Sequence, residues 1–255
     1  MIAAVDGCKG GWIVASSAID PASAAVQYSA NSTGQLSQSV GLFRCEKFSD
    51  VLDVTEHCDL VLVDMPIGLS DGRGLCNEGH SSFDWPRQCD LLAKEALKGK
   101  RSSLFLAPPR GCLCAENPRA FQDSHRKLVG VGASLPVWGI VPKIIEVDKL
   151  MNPEVQRRVH EYHPELAWCR LAGKGLSKKR SVEGRSERWE LLQQWMEESS
   201  LQQARQWRQS KSSQVAEDDL LDALVGLVVC LTFGQFRLCG EPPSDSQGLT
   251  MEILY

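Results

Sequence analysis

No stretch of this 255-residue chain approaches the roughly 20 consecutive apolar residues that a membrane-spanning helix requires. No basic leader precedes the first apolar run, and the expected location is the cytoplasm. Histidine is scarce, with five in all. Cysteine is not scarce, but its ten copies are scattered. The only close pair, Cys112 and Cys114, has one residue between its members, where zinc knuckles use two or more. Zinc cages and disulfide frameworks are therefore not expected, and the thiols are read as reduced. A strong charge of one sign is also lacking. The net charge of −4 calls for no polyanionic partner, so any case for one must come from local patches.

What is present begins at Met1–Val14, MIAAVDGCKGGWIV. An apolar run, Ile2–Val5, ends on Asp6, glycines at 7, 10 and 11 supply a tight turn, and Trp12–Ala15 resumes the apolar pattern. The reading is a β-hairpin whose first strand carries an acid at its end. A buried strand gains nothing from a carboxylate, so Asp6 either forms the turn or meets a cation or hydrogen-bond network that offsets its burial. Leu60–Asp64, LVLVD, is apolar until its last residue, as in a strand covered on both faces, and it too stops at an aspartate. Side by side, two such strands bring their acids to one sheet edge, where open α/β sheets bind ligands.

Between and beyond these strands, Ser16–Ser39 reads as a loop or weak edge strand and Val40–Cys45 as a third strand. A helix is expected at Ser49–His57, capped by Ser49 or Asp50. Leu69–Ser82 reads as a loop, Trp85–Leu97 as a helix with Pro86 in its first turn, and Ala115–Lys127 as another helix. Val129–Val141 is a segment punctuated by glycine and proline, and Lys143–Leu150 fits helix or strand equally. Arg158–His163 alternates like a strand. Two stretches are basic: Lys98–Arg110, around Ser102 and Ser103, and Gly173–Arg188. Each is either a solvated loop or a surface that contacts phosphates. Trp189–Trp207 is polar and helical. Glu217–Cys230, EDDLLDALVGLVVC, is a helix packed on the sheet, with Asp219 and Asp222 three apart on one face.

Four aspartates thus stand out: Asp6, Asp64, Asp219 and Asp222. Carboxylates without histidines select hard cations such as Mg²⁺ or Mn²⁺, which can activate water for phosphodiester cleavage. The four are the candidate metal ligands and catalytic residues, with basic loops to hold flanking phosphates.

The motifs VDGCKGGW, LVDMPIGL, RQCDxxAK at Arg87–Lys94, GKRSSLF, PKIIEVD, HPE, Lys178–Arg188 and DDLLDAL together resemble an uncharacterised prokaryotic family, domain of unknown function 429. That family is described as a predicted nuclease with a ribonuclease H-like fold, and the resemblance covers nearly the whole chain. Asp219–Leu224 is also similar to the last helix of RuvC-type junction resolvases. The resemblance implies an α/β fold with a mixed central sheet, an antiparallel hairpin plus parallel strands, flanked by helices. It further implies one domain over 1–255 with insertions at about 69–140 and 173–212. Asp6, Asp64, Asp219 and Asp222 fall on the superfamily's acidic positions. Lys9, Arg87, Arg101, Ser102, Lys143, Glu165 and Lys178 lie in the motifs or basic loops and are expected to contact the substrate, DNA or RNA. The same fold also serves nucleotide-binding phosphotransferases and non-catalytic modules. Phosphate loops of the phosphotransferase kind are missing from both halves, apart from the Gly7–Gly11 turn.

Overall fold

The computed structural model describes residues 1–18, 40–72, 85–210, 214–232 and 236–255, with backbone alone at Lys98, Arg101, Ser102 and Leu135. Most of the expected loops at Ser16–Ser39 and Leu69–Ser82 lie outside the described residues. The chain divides into two compact units. The first comprises Met1–Met65, Arg158–Arg237 and Leu254–Tyr255, and the second Pro66–Arg157 and Leu238–Ile253. The second unit contains the whole of the expected insertion at 69–140. Among the described residues no helix is long and apolar enough to cross a membrane.

The first unit is built on a five-stranded mixed sheet in the order β3-β2-β1-β4-β5. Its strands are β1 (Ile2–Cys8), β2 (Gly11–Ser17), β3 (Gly41–Cys45), β4 (Leu60–Val63) and β5 (Val159–Glu161). β1, β2 and β3 run antiparallel in sequence, and β4 and β5 extend the sheet parallel to β1. This is an α/β fold consistent with the ribonuclease H-like class. The hairpin turns at Lys9-Gly10, and Gly10 takes φ +70°, where a side chain would be strained. Helix α1 (Phe48–Val54) starts one residue before the expected cap. Asp50 lies in its first turn and accepts from the Lys47 N–H at 3.0 Å.

The second unit holds α2 (Gln88–Ala96), α3 (Pro118–Val129) and α4 (Leu135–Leu150). Asn117 caps α3 by accepting from the Ala120 N–H at 2.9 Å, and Gly130, at φ +81°, ends it. The segment read as punctuated, Val129–Val141, is helical from Leu135, and Lys143–Leu150 continues the same helix. Pro136 sits in the first turn, where its missing N–H costs nothing. Buried Val137, Val141, Ile144 and Val147 supply the spacing that carries the helix through Pro142.

The first unit's remaining helices are α5 (Pro164–Ala172), α6 (Val182–Leu192), α7 (Glu198–Gln209) and α8 (Glu217–Leu231). Every residue of α8 from Leu220 to Leu231 is buried, against β1, β2 and β4 on one side and α5 and α6 on the other. Gly226 makes the approach to the sheet possible. A Cβ there would collide with the Ala4 side chain and the Tyr162 ring. Gly226→Ala is expected to cost about 1–3 kcal/mol through overpacking. At roughly 2–4 °C per kcal/mol in a chain of this size, a thermal melt resolves that loss.

Candidate acidic site of the first unit

Side-chain parity explains why the acids meet. Ile2, Ala4 and Cys8 of β1, with Leu60 and Leu62 of β4, belong to the apolar cluster that includes α8. Asp6 and Asp64 share their parity and so point to the same face. Parallel register pairs Val5 with Val63, and the Asp64 N–H donates to the Val5 carbonyl at 2.9 Å. The two carboxylates therefore leave neighbouring strands side by side. Asp222, one helical turn before Gly226, descends on them from α8.

Burial, with Asp64, Asp222 and Asp219 adding repulsion, pushes the Asp6 carboxyl well above its ordinary range. Asp64 is pushed up to about 7, chiefly by burial and then by Asp222, while Lys179 and a hydrogen bond with Asp6 oppose the rise. Asp222 is buried, and its two oxygens go to different partners. Trp168 Nε1 donates to Oδ1 at 2.9 Å, and Lys179 Nζ donates to Oδ2 at 3.0 Å. Half-buried Asp219 is pushed up to about 6 by burial and by Asp218, with Lys179 opposing. Asp218 accepts from Arg180 Nε at 3.3 Å and lies 4.0 Å from Lys179 Nζ.

Lys179 occupies its place because the turn before α6 is fixed. The Ser181 N–H donates to the Lys178 carbonyl at 2.9 Å, and Ser181 Oγ accepts from the Gly184 N–H at 3.0 Å. A Cβ at Gly184 would strike the Lys178 carbonyl. This turn delivers Lys179 to the acids and leaves the predicted Lys178 exposed. Sequence reasoning singled out Lys178 and passed over Lys179, although the Ser181-x-x-Gly184 cap was a usable signal. It also passed over Glu161, a buried acid on β5 whose charge raises Asp64.

The other predicted contacts are dispersed. Lys9 is exposed at the hairpin turn. Glu165 pairs with Arg188 at 3.0 Å, and that buried guanidinium lies 5.6 Å from the Trp168 ring, bracing the tryptophan that holds Asp222. Arg87, Lys143, Arg101 and Ser102 belong to the second unit, and the side chains of the last two lie outside the described residues. Lys143 is half-buried on α4. Arg87 is almost fully buried: its Nη2 meets Asp90 at 2.6 Å, and its Nη1 donates to the Gly68 carbonyl at 3.0 Å. Arg87→Ala would strand the buried Asp90 carboxylate at a cost of about 3–5 kcal/mol. The expected readout is a large fall in Tm.

Among the described residues no three histidine, cysteine, aspartate or glutamate side chains converge as a ready-made metal cage. Asp222 is turned to Lys179 and Trp168 instead. Asp6 and Asp64 remain as two hard oxygen donors in contact, and Mg²⁺ is commonly held by one or two carboxylates while keeping several waters. That pair fits Mg²⁺ or Mn²⁺.

The raised Asp64 value sets a pH dependence. In the metal-free protein Asp64 binds its proton more tightly folded, at about 7, than at its ordinary value of 3.8. Its contribution to stability is complete below about pH 4 and is lost as pH rises through 7. Asp64→Asn should flatten that decline and raise Tm at alkaline pH by several degrees, about 2–4 °C per kcal/mol. Melts of both proteins across the pH range check this, and parallel curves would contradict it.

No curated protein and no solved structure matches the chain. A family model described as a protein of unknown function, DUF429, matches residues 5–244. With a two-stranded acidic edge under α8 and a match that spans nearly its full length, the chain belongs to the DUF429 family.

Proposed function

We propose that the chain is a divalent-cation-dependent nuclease that hydrolyses phosphodiester bonds in nucleic acid. The reading rests on the meeting of Asp6, Asp64 and Asp222 at the end of two parallel strands beneath one helix. Asp6 and Asp64 would hold Mg²⁺ or Mn²⁺. When bound, such an ion supplies activation of water and stabilisation of the leaving oxygen. The remaining work falls to protein groups. Trp168 and Lys179 fix Asp222 beside the pair. Asp219, with its carboxyl raised to about 6, is tuned to take up or return a proton at its Oδ atoms near neutral pH. Lys178 and Arg180, exposed on the adjoining turn, are placed to meet flanking phosphates.

One observation favours a second reading. Asp222 and Asp218 already have cationic or N–H partners, as in a structural network with no catalytic role. Incubation with structured DNA and RNA plus Mg²⁺ or Mn²⁺ separates the two readings. The nuclease reading expects cleavage that the Asp6→Asn/Asp64→Asn protein loses by at least about a hundredfold, a typical effect of removing a charge-stabilising group. Cleavage that survives in the double variant contradicts it. So does absence of cleavage together with a melt that Mg²⁺ leaves unshifted.

A further inference from the structure

The second unit holds a cavity of about 510 Å³ that is lined by residues of that unit alone. Trp85, Phe105, His125 and Val137 stand in its wall, and its polar side chains are Lys94, His125 and Ser134. Among the described residues no carboxylate lines it. We propose that this cavity binds a small aromatic carboxylate, a free organic anion with a body of one or two rings. The inference does not depend on the reading of the acidic site.

Hydrogen bonds from side chains to backbone fix the walls in advance. Trp85 Nε1 donates to the Ala107 carbonyl at 2.8 Å, and the Ala107 N–H donates to Asp90 at 3.0 Å, which pins the chain just after Phe105. From α3, Gln122 Nε2 reaches the Ala133 carbonyl at 2.6 Å and His125 Nδ1 the Val131 carbonyl at 2.6 Å. A carbonyl only accepts, so Nδ1 carries the proton of that bond. His125 is 2 % exposed, and among the described residues its Nε2 has no hydrogen bond. A buried nitrogen left over on a ring that lines a cavity calls for a partner from what the cavity holds. Trp85 meets that ring at 87° with centroids 5.0 Å apart, so the imidazole cannot swing away freely.

The lining also sets the class of ligand. Small-molecule sites enclose roughly 300–1,000 Å³ behind mainly apolar walls with a few polar groups. Aromatic walls favour a ring in edge-to-face or offset contact. A nucleobase suits the cavity poorly, because it would bury several polar atoms against a wall with few partners for them. Charge comes from Lys94, half-buried in the last turn of α2 and without an ion pair among the described residues. Ser134 precedes α4 and its hydroxyl closes no cap, so that O–H and the positive end of the helix dipole add to the preference for an anion.

Calorimetric titration of the full chain with 2-naphthoate, and with 2-naphthamide, which has the same rings and no charge, provides the test. Naphthoate is expected to bind the wild type at least about fivefold more tightly than the amide, the worth of one partly exposed ion pair. Lys94→Met should abolish that preference and leave binding of the amide unchanged, whereas Phe105→Ala should weaken both. Lys94→Gln serves the same purpose should the methionine variant fail to fold. Equal binding of the two probes, binding that neither substitution alters, or no binding of naphthoate at millimolar concentration would overturn the proposal. So would tighter binding of adenosine monophosphate or of octanoate, which would assign the cavity to a nucleotide or to an aliphatic chain.

Discussion

Like charges driven together under a helix repel, and the first unit is arranged around offsetting that repulsion. Asp6, Asp64 and Asp222 lie where β1, β4 and α8 meet, with Asp6 and Asp222 buried and Asp64 half-buried. Without compensation each ionised carboxylate there would be costly to bury. Compensation at Asp222 comes from the Trp168 N–H and from the Lys179 ammonium, whose charge also opposes the rise at Asp6 and Asp64. The supporting contacts follow from these. Arg188 braces Trp168 and is itself anchored by Glu165, and the Ser181 cap sets the turn that carries Lys179. A stability-only design would have placed apolar residues in these positions.

Proximity in this unit is a matter of backbone. Gly226 carries no side chain where a Cβ would collide with the Cβ of Ala4 on β1, so α8 can lie close to the strand. The helix then lies low enough for Asp222, on the same helical face, to reach the acids at the strand ends. The Tyr162 hydroxyl donates to the Asp222 carbonyl at 2.8 Å and ties the helix to the strand edge as well. The second unit is stabilised in a different way. The Arg87–Asp90 pair is buried with its remaining hydrogen-bonding capacity directed to backbone, including the Ala107 N–H at 3.0 Å. Arg110 lies among Asp148 and Asp245, the latter also capping the Leu69 N–H at 3.0 Å.

Much of the fold and the acidic site was legible in the sequence because it is written in local periodicity. LVLVD and MIAAVD both read as apolar strands that end on an acid, and DDLLDAL states both the helix and the spacing of its acids. What escaped depends on contacts between distant segments. Lys178 and Lys179 are equivalent in composition and differ only in what a turn does with them. Arg87 and Glu165 carry charges that suit a substrate, and nothing local reveals that each is committed to a buried partner. Glu161 is one more acid in an alternating stretch until parallel pairing with Val63 sets it beside Asp64. The helix over Leu135–Leu150 was masked by Pro136 and Pro142, whose usual effect is outweighed by four buried apolar residues.

The central claim is that Asp6 and Asp64 form a place for one hard cation at the strand ends beneath α8. Anomalous scattering from crystals grown with Mn²⁺ addresses it most directly. The account predicts a peak bounded by the Asp6 and Asp64 carboxylates, with Lys179 still on Asp222. A peak elsewhere with those two acids still hydrogen-bonded to each other, or no peak at saturating Mn²⁺, would contradict it.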